Sequence, residues 1–260
     1  MSLQARAVLA TLAALLVVTG GLAVLVLNAG GASDFPDDTF AVADAAPSTG
    51  ALPAETGART QQQASRGGDR LQVDAAWVTK VAAAAGIPAP ALRAYADAQL
   101  RLRTEQPGCH LGWNTLAGIG WIESQHGTLG GRTLLADGRS STTILGPALD
   151  GSTFAAIRAT PESTSWHGDP TWDHAVGPLQ FLRSTWDRWG ADGDGDGVAD
   201  PRDLDDAALT AARYLCADGK DLATDSGWNA AVHSYNHDQT YVVNVANAAN
   251  TYAQRAAQAG

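Results

Sequence analysis

Glutamate is scarce in this 260-residue chain, and its four occurrences differ in setting. Glu55 falls in a polar stretch, Glu105 at a polar helix end, and Glu162 in Thr160-Pro161-Glu162-Ser163-Thr164, read as a loop. Glu123 alone lies inside an apolar helical run, Leu116-Ala117-Gly118-Ile119-Gly120-Trp121-Ile122-Glu123-Ser124. Leu116, Ile119 and Gly120 precede it by seven, four and three residues, so its own helix face is apolar. The helix should end near Gly127, which puts Glu123 in the last turn, where the helix dipole disfavours a carboxylate. Desolvation acts in the same direction, and both raise the pKa toward that of a general acid. The same spacing also suits a glutamate that flanks the core and reaches solvent.

A second chemical pattern is Asp192-Gly193-Asp194-Gly195-Asp196-Gly197-Val198-Ala199-Asp200-Pro201-Arg202-Asp203. It fits a twelve-position calcium loop. Asp192, Asp194, Asp196, Asp200 and Asp203 supply carboxylates, Val198 a backbone carbonyl, and Gly197 the sharp turn. Five carboxylates so close repel one another without a cation. Asp203 stands where calcium loops favour Glu, which shortens bidentate reach. The alternative is a solvated acidic turn. A structural Ca2+ is expected here and no cofactor for catalysis.

The elements that must position these groups are mostly helices. Asp74 caps a helix through Trp77, Val78 and Val81 that Gly86 stops. Pro88 and Pro90 open a second, with Leu92, Tyr95, Gln99 and Leu102 on one side. Others run from about Asn114 to Ser124, from Asp205 or Asp206 through Cys216, from Trp228 to Asn236 and from Tyr241 to Ala257. Strands are scarce, and 127–176 is one long irregular stretch rich in Gly, Thr, Ser and Pro. The fold class is mainly α, a single domain over residues 70–260 that is long enough for a hydrophobic core.

What precedes that domain has a different character. Val8 to Leu27 is uncharged over twenty residues, long enough for a helix to span the roughly 30 Å of bilayer hydrocarbon. Arg6 before it and Asp34, Asp37 and Asp38 after it orient the bulk of the chain outward. An uncleaved anchor and a long signal peptide are the two readings of residues 1–32, and both export the rest. Residues 33–69 are rich in Ala, Gly, Ser, Thr, Pro and Gln and read as a flexible linker. The location is therefore extracytoplasmic, tethered to the membrane or secreted. There, Cys109 and Cys216 suggest one disulfide, with two buried free thiols as the alternative.

Three segments together resemble a known family. Gly118-Ile119-Gly120-Trp121-Ile122-Glu123-Ser124, then Gly177-Pro178-Leu179-Gln180-Phe181 with Ser184 and Thr185 nearby, then Ser234-Tyr235-Asn236, is similar in order and type to the lysozyme-like lytic transglycosylases of bacteria. The aspartate loop makes the lytic murein transglycosylase B branch the nearest. Gly177-Pro178 departs from the small or aromatic residue common there. The resemblance covers roughly Leu92 to Tyr252 and implies a lysozyme-like catalytic domain. It also implies cleavage of the MurNAc–GlcNAc β-1,4 bond of peptidoglycan, with Glu123 as the catalytic acid. Ser124, Gln180, Tyr235 and Asn236 are the implied substrate-binding residues. The sugar's own C6 hydroxyl attacks C1 and leaves a 1,6-anhydro end, so no second carboxylate has to activate water. By themselves Gln180 and Asn236 also fit helix-cap hydrogen bonds, and Tyr235 fits core packing.

Some of the eight tryptophans suit a saccharide groove, with Trp121, Trp166 and Trp172 as candidates, while core packing is the alternative for most of them. The expected partners are glycan strands and, through the first segment, the membrane. A monomer is expected. Lys and Arg number 17 against 27 acids, with no basic block, so nucleic acid is not a partner. His233 and His237 stand four apart but lack the glutamate of a zinc-hydrolase frame. No nucleotide-binding glycine loop or serine elbow is present. A hydrolase on the same scaffold and a non-catalytic wall-binding module are the rival functions.

Overall fold

The computed structural model describes Leu52 and residues 72–259. Helix α1, Ala75–Ala85, begins where the Asp74 carboxylate accepts from Trp77 N at 2.8 Å. It ends at Gly86, whose φ of 73° is a conformation open to glycine. Helix α2, Ala89–Glu105, follows, with Pro90 in its first turn where a missing N–H leaves nothing unpaired. Helix α3, Trp113–Ser124, carries Glu123 in its last turn. Every residue of α3 except Trp121 is buried, as befits a helix apolar on nearly all sides.

Two short helices follow, α4 at Pro161–His167 and α5 at Arg183–Trp189. Then come α6 at Leu204–Leu215, a 3-10 turn at Ala217–Gly219, α7 at Asp225–Tyr235 and α8 at Gln239–Gln258. The central pair is α3 against α8; α2 packs on α6 and α3, and α1 on α8 and α2. Two glycines permit the close approach. A Cβ at Gly118 would overlap the Val245 carbonyl of α8, and one at Gly120 would overlap the Tyr95 hydroxyl of α2.

Several boundaries correct the sequence reading. Helix α6 starts at Leu204 with Asp203 as its cap, not at Asp205 or Asp206, because the Asp203 carboxylate accepts from Asp205 N at 2.9 Å. Helix α7 starts at Asp225, three residues before Trp228, because the Thr224 hydroxyl accepts from Gly227 N. Glu162 is not in a loop but in the first turn of α4, which a Thr160–Ser163 capping box sets. The rest of the stretch from 127 to 176 is irregular. Isolated bridges hold it, among them Leu134 with Ser140, Leu145 with Val176 and Arg158 with Trp172; no strand occurs among the described residues.

Cys109 and Cys216 form a disulfide, with Cα atoms 5.5 Å apart and a separation of 107 positions in sequence. It joins the segment after α2 to the end of α6, beside the Leu222 N–H bond to the Cys109 carbonyl. Val8 to Leu27 and nearly all of 33–69 lie outside the described residues. Among those described, no helix is long and apolar enough to cross a membrane.

Candidate active site

The end of α3 is pinned before any ligand is considered. Gln125 and His126 both have positive φ, 52° and 59°, which non-glycine residues adopt at some cost. His126 is held there on three sides. Its N–H donates to the Gly120 carbonyl, and its ring lies 3.2 Å from the Tyr95 hydroxyl and 2.8 Å from that of Tyr252. Burial depresses the His126 pKa to about 3, so the ring is neutral.

That anchor presents Glu123, whose residue surface is only 7% exposed. Its Oε1 accepts from the Tyr241 hydroxyl at 2.7 Å, across from the first turn of α8. Its Oε2 is shut off from solvent and has no hydrogen-bond partner among the described residues. Burial pushes the carboxyl up to about 8, against a smaller downward pull from the Tyr241 hydrogen bond. The group is therefore a neutral acid at pH 7. With Oε1 occupied as acceptor, the proton belongs on Oε2, where no protein acceptor takes it. No neighbouring carboxylate contributes to the shift.

The wall beside this acid is the segment from Gly177 to Phe181. Ser124 Oγ donates to the Pro178 carbonyl at 2.6 Å and accepts from Gly127 N at 2.8 Å. The Tyr235 hydroxyl donates to the next carbonyl, Leu179, at 2.7 Å. Gln180, at φ 52°, turns its amide onto the Gly177 carbonyl at 2.8 Å. So Ser124, Gln180 and Tyr235 come together with Glu123, but all three bond protein groups and fix the wall. Asn236, the C-terminal cap of α7, is 4% exposed and its Oδ1 has no partner among the described residues. Sequence reasoning missed Tyr241, the one side chain bonded to the acid. The available signal was its position in the first turn of α8, the helix whose Val245 meets Gly118 of α3 at close range.

The tryptophans divide. Trp121 is half-buried beside His126. Trp166 meets Trp186 edge-on and lies under the Arg183 guanidinium, and Arg158 covers a face of Trp172 at 3.9 Å.

In the aspartate loop the carboxylates that converge are Asp192, Asp194 and Asp206, each offering an oxygen within 4.8 Å of the others. Asp200 instead bonds Arg139 at 2.7 Å, and Asp203 faces Arg139 at 3.8 Å while capping α6. Asp196 turns back on the Val198 N–H at 2.7 Å, and Val198 is exposed. Asp206, from the first turn of α6, also accepts from Gly193 N at 2.6 Å and Asp200 N at 2.8 Å, which ties the loop to the helix. Burial, then nearby carboxylates, push Asp203 to about 7; burial does the same for Asp206, to about 6. Three hard oxygen donors of this kind suit calcium and not a soft metal.

No family model, no curated protein and no solved structure matches this chain.

Proposed function

We propose that the protein is a peptidoglycan lytic transglycosylase that cuts the MurNAc–GlcNAc β-1,4 bond and leaves a 1,6-anhydro end. The observation that carries the reading is Glu123: enclosed, protonated at neutral pH, steadied by Tyr241 and without a partner carboxylate. In the proposed reaction, Oε2 gives its proton to the glycosidic oxygen as the C1–O bond breaks. The carboxylate left behind takes the proton of the C6 hydroxyl as that oxygen closes on C1. The acid is thereby restored and no water is consumed. A two-carboxylate hydrolase would need a second acid to activate water; nothing charged beside Glu123 fills that part. For a glycosidic oxygen to reach Oε2, the carboxyl must turn or the wall from Gly177 to Phe181 must shift, since Oε2 is closed to solvent.

The order of the three motifs supports the same reading. So does the apolar first segment, which would carry the domain to the wall side of the membrane. The aspartate loop would hold Ca2+ and keep α6 and the Arg139 bonds in register. Ser124, Gln180 and Tyr235 would position the wall, and Asn236 Oδ1 would accept an amide or hydroxyl proton from the sugar.

Mass spectrometry of digested sacculi tests this. Anhydro ends one water lighter than reducing ends are expected, and Glu123→Gln should lower release by about 10³-fold, the scale of a lost general acid. Reducing ends would make the enzyme a hydrolase, and no release by the wild type would leave a wall-binding module.

A further inference from the structure

We propose that a cavity of about 240 Å³ on the far side of Pro178 binds the free carboxylate of a wall peptide carried by the strand that Glu123 cuts. Its lining includes Arg139, Ser141, Thr142, Thr143, Pro178 and Arg202. The inference rests on the proposed function for the identity of the ligand, and on the cavity itself for its chemistry.

That chemistry is one-sided. Ser141 Oγ already accepts from Thr133 N at 3.1 Å, and Thr142 Oγ1 from Arg132 Nε at 3.1 Å, so each hydroxyl hydrogen is left to donate. Thr143 Oγ1 has no hydrogen-bond partner among the described residues and lies exposed at the cavity. The wall carbonyls are occupied: Pro178 accepts from Ser124, and Ile144 from Gly177 N. Arg139 and Arg202 both bond Asp200, at 2.7 and 3.4 Å, and Arg202 also reaches the Trp166 carbonyl at 2.8 Å. Asp203 also lies 3.8 Å from Arg139, yet two guanidiniums with five N–H groups each keep donors in reserve beside Asp200 and Asp203. A lining that gathers hydroxyl and guanidinium donors suits an oxyanion, and its volume admits an amino-acid end group.

The cavity is built into the site. Pro178 is bonded to Ser124, the residue after Glu123, and Ser140 on the opposite lip donates to the Gly127 carbonyl at 2.8 Å. Gly177 brings in Arg202, because a Cβ there would overlap the Pro201 carbonyl. Both lips thus hang from the end of α3, one side-chain layer from the acid. The muramyl sugar carries its peptide through an amide bond to the carboxyl of its lactyl group, so a strand seated at Glu123 has a peptide carboxylate to offer.

Calorimetric titration of Glu123→Gln protein with muramyl dipeptide, its carboxyl-amidated form, acetate and inorganic phosphate provides the test. The free acid is expected to bind about ten-fold more tightly than the amide, the scale of a charge-assisted hydrogen bond, and more tightly than acetate or phosphate. Thr143→Val and Arg202→Gln, each placed in that background, should erase the difference; the Thr143 side chain is exposed and its hydroxyl bonds no described residue, so its change leaves folding intact. Equal binding of acid and amide, or no effect of either variant, overturns the proposal. Phosphate binding as tightly as the dipeptide overturns the assignment of the ligand. A second arm compares strands with and without their peptides. Wild type should favour peptide-bearing strands, with the ratio falling toward one in Thr143→Val. Cutting of both at equal rates rejects the cavity alone, whereas cutting of neither rejects the proposed function and leaves the titration as a separate result.

Discussion

The proton on Glu123 links the proposed catalysis to stability. In the unfolded chain the group titrates near 4.5, and in the folded protein near 8. Between those values the folded state binds more protons than the unfolded one, so this residue subtracts stability as pH rises from about 4.5 to about 8. Glu123→Gln keeps an oxygen to accept from Tyr241 but cannot ionise. The variant should therefore match wild type near pH 4 and exceed it by about 2–4 kcal/mol at pH 8, read from urea melts at several pH values. Parallel pH curves for the two proteins would contradict the buried acid. Tyr241→Phe acts in the opposite sense on the same group. The hydroxyl favours the ionised carboxyl, so its loss should move the alkaline limb of the pH–rate profile upward and lower the rate by about ten-fold. A limb that moves down or stays fixed would remove Tyr241 from the mechanism. Glu123 was legible from sequence because an acid inside an apolar periodic run breaks the pattern. Tyr241 was not, because a bond between residues 118 apart leaves no local trace.

At the scale of elements, what could be read depended on length and capping. Helix α1 was clear at both ends because Asp74 and Gly86 are strong signals on either side of an apolar period. Helices α4 and α5 have seven residues each, too few for a 3.6-residue period to stand out. The acidic run of the aspartate loop was legible, but the Asp206 carboxylate on α6 that converges with Asp192 and Asp194 was not. Three acids within four residues, Asp203, Asp205 and Asp206, serve different ends, and only the helix geometry decides which turns back to the loop. Asp203 caps the helix, Asp205 pairs with Arg93 at 2.8 Å, and Asp206 joins Asp192 and Asp194. Calcium is thus expected to raise the melting temperature. Asp206→Asn should weaken its binding by about ten-fold or more, while Asp203→Asn, which still caps, should change it far less. Calorimetric titration of both variants decides between Asp206 and the twelfth loop position, and a larger loss from Asp203→Asn would restore the latter.

At the scale of the whole molecule, the Cys109–Cys216 bridge closes a loop that contains α3, the irregular segment, the aspartate loop and α6, but not α8. Glu123 therefore lies inside the loop and its partner Tyr241 outside it. The bridge limits the unfolded chain, while the contact of α3 with α8 sets the acid's environment. On the chain-entropy account, a closed loop of this length contributes about 4 kcal/mol, and a domain near this size shifts by about 2–4 °C per kcal/mol. Replacing both cysteines by alanine should then lower the melting temperature by about 10 °C. The alkaline limb that reports Glu123 should stay in place at 25 °C, because Tyr241 and the burial of α3 remain. Thermal melts together with a pH–rate profile separate the two roles. A melting temperature unchanged within about 2 °C would deny the bridge its stabilising part. A displaced limb in a protein that still melts cooperatively would mean that the bridge, and not α8, shapes the pocket of the acid.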